Sequence, residues 1–108
     1  MTVAEFAKAG GFTEIILPDP DAETDGVYVG DLLSWVMGKA QLNDIWITIM
    51  SNANIIAVAT LADVSCILLA EGVSLDADTI ALANEKGINI LSTDLPAYEI
   101  AGKIYGNI

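Results

Sequence analysis

At 108 residues, with 54% hydrophobic residues and a mean hydropathy of +0.55, the chain is long enough for one domain built around one core. Its formal net charge of −11, from fifteen acidic residues against four lysines, argues against nucleic acid and anionic membrane surfaces as partners. The absence of His and the single Cys exclude a Ser-His-Asp triad, a structural zinc site and an internal disulfide.

The high apolar content has two explanations, and both can hold together. In the first, the sheet is covered on both faces and its strands are therefore continuously apolar. In the second, apolar surface is buried against a partner, and for this reason we expect a homodimer. The first residues carry no basic segment followed by an apolar one, so no signal peptide is expected. The longest mostly apolar run, residues 55–70, is interrupted by polar residues and is too short to span a membrane. We therefore expect a cytoplasmic protein.

The first half of the chain alternates helix and strand signals. Thr2 and Glu5 form a capping box for a short helix that ends at Gly10 and Gly11. A second helix over residues 32–40 is expected to be capped by Asp31. Three strands are predicted, at residues 13–17, 27–29 and 45–50.

The second half is dominated by residues 64–93. Residues 55–59 predict a further strand, and a short helix over residues 61–65 follows it. Next come a strand at 66–70, a helix begun by Ser74 and ended at Lys86 and Gly87, and a strand at 88–91. This βαβ unit implies parallel strands with a crevice at their carboxyl ends. With a final helix capped by Ser92 or Asp94, we predict an α/β fold, a three-layer α/β/α sandwich with a mostly parallel sheet.

Two further motifs carry little chemistry. The acidic loop at residues 19–26 superficially resembles a calcium loop, but Thr24 replaces the expected Gly and Gly30 replaces the bidentate Glu. Cys66 has no His to activate it and is expected to be buried and inert. We expect no metal site and no cofactor.

Polar residues that follow predicted strands form the candidate site. Thr60, the pair Glu71 and Gly72, and residues 92–94 each follow an apolar strand and precede or open a helix. Within this rim the predicted pocket is formed by Thr60, Gly72, Ser92 and Thr93. Hydroxyls and free amides at helix starts can bind a polar ligand or anion, and the alternative is simple helix capping.

The sequence CILLAEGVSLDADTIALANEKGINILST resembles the DRTGG domain and the related amino-terminal domain of HPr kinase/phosphorylase. The segments GDLLSWVMGKA, IWITIM and NIIAVA are similar to the upstream half of small stand-alone DRTGG proteins, so the resemblance covers about residues 26–105. It implies an α/β/α sandwich acting as a non-catalytic regulatory or dimerising domain. The HPr kinase domain is absent, so the resemblance does not imply phosphotransfer.

The resemblance has departures at the family's own motif. Where the Asp-Arg pair would stand after the strand, this chain has Thr60 and Leu61. Where Gly-Gly would stand it has Glu71 and Gly72, and Asp63 is the candidate match for a later family acid. Asp63 therefore joins the predicted ligand-binding residues.

We predict one domain over residues 1–108, a non-catalytic regulatory module that dimerises and senses a small ligand at the rim of strand ends. The alternative is a small-molecule or nucleotide-binding receptor. A carboxylate-dependent enzyme is the third hypothesis, and the identity of any protein partner stays open.

Overall fold

The computed structural model describes residues 1–107. Helices and strands alternate along most of the chain. Their bounds are α1 (Val3–Gly10), β1 (Thr13–Ile16), β2 (Gly26–Val29), α2 (Leu33–Lys39), β3 (Asp44–Thr48), α3 (Asn54–Ala62), β4 (Cys66–Leu69), α4 (Ala77–Glu85), β5 (Asn89–Ser92) and α5 (Ala97–Ile104).

The five strands form one sheet in the order β1-β5-β4-β3-β2. Strands β2 to β5 are parallel, with Trp46 beside Ile67 and Ile67 beside Ile90 in register, whereas β1 pairs antiparallel with β5. Every residue of β3 and β4 is buried, as expected for strands covered on both faces. The predicted three-layer sandwich is confirmed, and the antiparallel edge strand makes its sheet mixed.

Helices cover both faces of this sheet. α2, α3 and α4 connect successive parallel strands and pack on one face, where Val36, Ile55 and Ala83 meet Trp46 and Ile67. Three consecutive crossovers of the same hand place their helices on the same side. α1 and α5 lie on the other face. The core there is formed by Val3, Phe6, Ile47, Cys66, Leu68, Leu91, Ile100 and Ile104.

The central βαβ unit is confirmed, with β4 and β5 parallel and α4 between them. Its helix begins later than predicted, because Asp76 rather than Ser74 is the cap: the Asp76 Oδ1 accepts from the Thr79 amide at 2.7 Å. This hydrogen bond from the backbone holds the pKa of Asp76 below its usual range. The capping box of α1 is confirmed as well, with Thr2 and Glu5 each bonding the other's amide.

The predicted strand at residues 55–59 is wrong, since these residues lie in α3. The helix predicted over residues 61–65 is wrong too, because Leu61 and Ala62 end α3 and Asp63 follows in a left-handed conformation, φ 60°. Parallel strands need a long crossover between them, and β3 and β4 are parallel neighbours. The segment between them therefore becomes a helix, whatever its local strand preference.

Two predicted caps are also wrong. Asp31 does not cap α2: its Oδ1 accepts from the Thr48 hydroxyl at 2.8 Å and from the Ile49 amide at 3.0 Å. Asp31 thereby ties the end of β2 to the end of β3. The N-cap of α5 is Pro96, so neither Ser92 nor Asp94 caps that helix.

Candidate functional site

The carboxyl ends of β4 and β5 form a crevice because the chain leaves them in opposite directions. After β4 the chain turns to α4 on one face, and after β5 it turns to α5 on the other. In open α/β sheets, ligands bind at such a point, outside the carboxyl ends of the strands.

The two loops at this crevice are held to each other by backbone hydrogen bonds. The Glu71 amide donates to the Leu95 carbonyl and the Gly72 amide to the Thr93 carbonyl, both at 2.9 Å. Gly72 has a φ of +71°, and a Cβ there would lie 3.1 Å from the Asp94 Oδ1. Glycine at this position thus serves both the turn and the approach of the Asp94 carboxylate.

A cavity of about 170 Å³ opens between these loops. Leu69, Leu75 and Ile80 give it an apolar floor, and Ser92 and Asp94 are among its polar lining. Among residues 1–107, those that line it include no lysine. Hydroxyls and one carboxylate suit a neutral or cationic ligand that donates hydrogen bonds, whereas a phosphate would meet the Asp94 charge unpaired.

The structure brings together only part of the predicted rim. Gly72 and Ser92 line the cavity, and Thr93 lies beside it, where its hydroxyl accepts from the Leu95 amide at 3.3 Å. Thr60 and Asp63 lie at the opposite edge, because α3 runs back to the amino ends of the strands. Ligand binding by any of these five residues stays a prediction.

At that opposite edge, Thr60 and Asp63 have structural contacts. The Thr60 hydroxyl donates to the Ile56 carbonyl at 2.8 Å, within its own helix. The Asp63 carbonyl accepts from the Asn43 amide at 3.0 Å. A cavity of about 190 Å³ lies beside both residues, with Lys86 also in its wall.

Comparison with known proteins agrees with this architecture. Residues 26–106 match the model of the DRTGG domain. The chain belongs to the DRTGG domain family. No curated protein matches it closely enough to count as a relative.

A solved structure has the same fold as this DRTGG domain: the CBS and DRTGG domains of the regulatory region of Clostridium perfringens pyrophosphatase, complexed with its activator, diadenosine tetraphosphate. The TM-score is 0.70 at 15% sequence identity. The match covers 95% of this chain and 45% of that one, so this chain spans less than half of its structural neighbour.

Thr60 and Leu61, where the family's Asp-Arg pair was expected, do not follow a strand in this DRTGG domain but lie in α3. The strand before α3 is β3, which ends at Thr48. Residues 49–53 follow β3 directly and lead into α3. They reach the start of α3 through an Asx turn, in which the Asn52 Oδ1 accepts from the Asn54 amide at 2.9 Å.

The sequence assigned Ser74 only to a helix cap, whereas Asp94 was placed at the rim of strand ends, and both line the cavity. Asp94 follows Ser92 by two residues, so its position just after β5 was the available signal. Ile80 lines the cavity as well, and no sequence signal placed it there.

Other candidate chemistry in this DRTGG domain is not organised as a centre. Within residues 1–107, no group of three or more His, Cys, Asp or Glu side chains is arranged to hold a metal ion. In the acidic loop, the Asp25 carboxylate accepts from the Asn43 side chain at 2.9 Å. None of the helices in this same span has the length and apolar composition needed to cross a membrane.

The Cys66 thiol is expected to resist modification in the folded protein. Cys66 is fully buried in β4, and this burial raises its pKa to about 12, so the thiolate that would react is scarce at pH 8. Ellman's reagent at pH 8 should leave Cys66 unmodified in buffer and titrate one thiol in denaturant. Rapid labelling in buffer would contradict this assignment.

Proposed function

We propose that this DRTGG domain is a non-catalytic regulatory module that forms a homodimer and senses a small ligand in the crevice between β4 and β5. The observation that carries the proposal is the cavity at the point where the chain leaves β4 and β5 toward opposite faces. The composition is consistent with work in the cytoplasm.

The cavity favours a particular chemistry of ligand. Its polar lining consists of acceptors and hydroxyls above an apolar floor, which suits a flat ring bearing hydroxyl or amino groups. Its volume of about 170 Å³ lies below the roughly 300–1,000 Å³ of sites for drug-sized ligands, so it has room for one flat ring system such as a base. A nucleoside or nucleotide that inserts its base and leaves its sugar, with any phosphates, in solvent fits both limits, and the structural neighbour's nucleotide activator supports this ligand class.

A non-catalytic role has support from the chain's chemistry. The sequence has no His and no Arg, and its one thiol is buried with a raised pKa. Acid–base catalysis by carboxylates uses pairs in contrasting environments, and Asp94 is the carboxylate that lines the cavity. The carboxylate-dependent enzyme therefore has the least support.

Calorimetric titration with adenosine, diadenosine tetraphosphate and inorganic phosphate tests the ligand site. Adenosine and the dinucleotide should bind, and phosphate alone should not. Asp94→Asn keeps the shape of the side chain but removes its charge, so it should weaken adenosine binding about 10–100-fold.

The matched control is Glu99→Gln, an exposed carboxylate on α5 that does not line the cavity. It should leave the dissociation constant unchanged. Equal losses in both variants, or binding of phosphate alone, would contradict a nucleoside site at Asp94. Binding that instead depends on Thr60 or Asp63 would move the site to the opposite edge of the sheet.

A further inference from the structure

One stretch of this acidic chain is almost free of charge. Between Leu32 and Ala62 the charged residues are Lys39 and Asp44, and all other acids and lysines lie outside it. Asp44 is buried, and its Oδ2 accepts from the Gln41 amide at 2.8 Å. The stretch contains α2 and α3, which lie side by side on one face of the sheet.

The outward side of these two helices, with the groove beside α3, is called the neutral face. Trp35 of α2 is 59% exposed and Leu61 of α3 is 71% exposed. Ala57, one turn before Leu61, is exposed too. A groove of about 380 Å³ runs between α3 and α4, with Leu61 and Leu82 among its mostly apolar walls.

We propose that the neutral face is the surface through which two copies of this chain associate, with Trp35 of each copy seated in the α3–α4 groove of the other. This rests on the homodimer in the proposed function and names its interface. Two chains at −11 repel each other, and the cost is smallest where the facing surfaces carry no acid. α2, α3 and the lining of the groove carry no acid, and the charged residue in the groove wall is Lys86, whereas Asp78 and Glu85 lie on the exposed side of α4.

The order of the helices makes this face self-complementary. α2, α3 and α4 follow the strand order β2-β3-β4-β5, so α3 lies between the other two. A twofold axis parallel to α3 therefore places α2 of one copy opposite α4 of the other. Each Trp35 then faces a groove, which is the pairing of an aromatic anchor with an apolar pocket found at the centre of stable interfaces.

The exposed Trp35 ring has a cation–π contact within its own chain, since the Lys39 ammonium lies 4.9 Å from the ring centroid. This contact favours one orientation of the ring before association. A standard interface buries about 800 Å² on each partner. That is about one seventh of the chain's surface of 5670 Å².

The second apolar surface fits a second copy less well. Val27 and Val29 are exposed on the edge strand β2, beside a groove lined by Tyr105. Asp25 and Asp31 flank this strand, and both are exposed. Two copies joined edge to edge would bring these acids close together, which like charges oppose.

Sedimentation equilibrium of the full chain tests the interface. The wild type should be dimeric at micromolar concentration, and Leu61→Glu and Ala57→Glu should each weaken the dimer at least 100-fold. Both sites are exposed on a helix, so neither change should unfold the monomer, and circular dichroism checks this. Tyr98→Glu, at an 89% exposed site on α5 across the sheet, should leave the dimer unchanged.

Fluorescence quenching supplies an independent measurement, because Trp46 is fully buried and Trp35 is not. Acrylamide quenching should rise on dilution of the wild type and stay high in Leu61→Glu. A monomeric wild type would overturn the homodimer and the interface together. A dimer that survives both glutamate variants would overturn the neutral face alone, and dissociation by Val29→Glu would then assign the contact to β2.

Discussion

Replacing Leu68 by Ala is expected to lower the free energy of unfolding by about 2–5 kcal/mol. Leu68 is fully buried in β4, the middle strand of the sheet, and packs in the core between the sheet and the helices α1 and α5. The truncation removes buried methyl groups and leaves a cavity that a central strand cannot close by moving. Urea denaturation followed by circular dichroism measures the loss.

Leu42→Ala is the matched control, because it deletes the same atoms from a side chain that is 61% exposed. Its effect should stay within about 0.5 kcal/mol. Similar losses in the two variants would mean that the layer between the sheet and α1 and α5 is not the stabilising core described above.

Replacing Asn89 by Ala is expected to destabilise the fold by about 2–3 kcal/mol. Asn89 is buried at the start of β5, and its Nδ2 donates to the carbonyls of Asp19, at 2.7 Å, and Ser65, at 3.0 Å. Its Oδ1 accepts from the Asp19 amide at 2.9 Å. One side chain therefore anchors the acidic loop to the amino end of the sheet, and its loss leaves these groups without their partners.

Hydrogen exchange distinguishes a local release of the acidic loop from a general loss of stability. The acidic loop is also hydrogen-bonded to the start of α1, since the amides of Val3 and Ala4 donate to the carbonyls of Ala22 and Pro20. Protection of the Asp19, Val3 and Ala4 amides should fall further than that of β4. Asn84→Ala, at an exposed position in α4, is the control and should change neither stability nor this pattern. Asn89→Asp should be at least as destabilising as Asn89→Ala, since it puts a charge against two carbonyls.

Local signals were sufficient to predict the second half of the sheet. The strands at β4 and β5 are short buried apolar runs, and each is followed by residues that stop a strand. Gly72 and Gly87 both have positive φ, +71° and +73°, so the turns that the sequence predicted are required by the backbone. The segment's own chemistry and its place in the fold agree, which makes prediction reliable there.

The strand prediction for residues 55–59 was wrong for a physical reason that bears on function. A surface helix is normally recognised by polar residues on its outward side. In α3 the exposed positions are Asn54, Ala57, Thr60 and Leu61, so the outward side carries no charged residue. The same lack of charge that hides the helix in the sequence marks the neutral face in the structure.

The misplaced site residues follow from that error. Thr60 was expected at the carboxyl edge because a strand was predicted before it, and in α3 it lies at the amino edge instead. Gly72 and Ser92 were placed correctly, because β4 and β5 were. The nearness of Gly72 to Asp94 depends on the pairing of two loops, which the sequence does not encode locally.

Amide chemical shifts in the ¹⁵N-labelled protein, recorded during titration with adenosine, test most directly whether this domain senses a nucleoside at the carboxyl edge. The largest changes are expected at Gly72, Ser74 and Asp94, with little change at Asp63 and Lys86 across the sheet. Changes centred on Asp63 and Lys86, or a spectrum unaltered by millimolar adenosine, would contradict the proposed site.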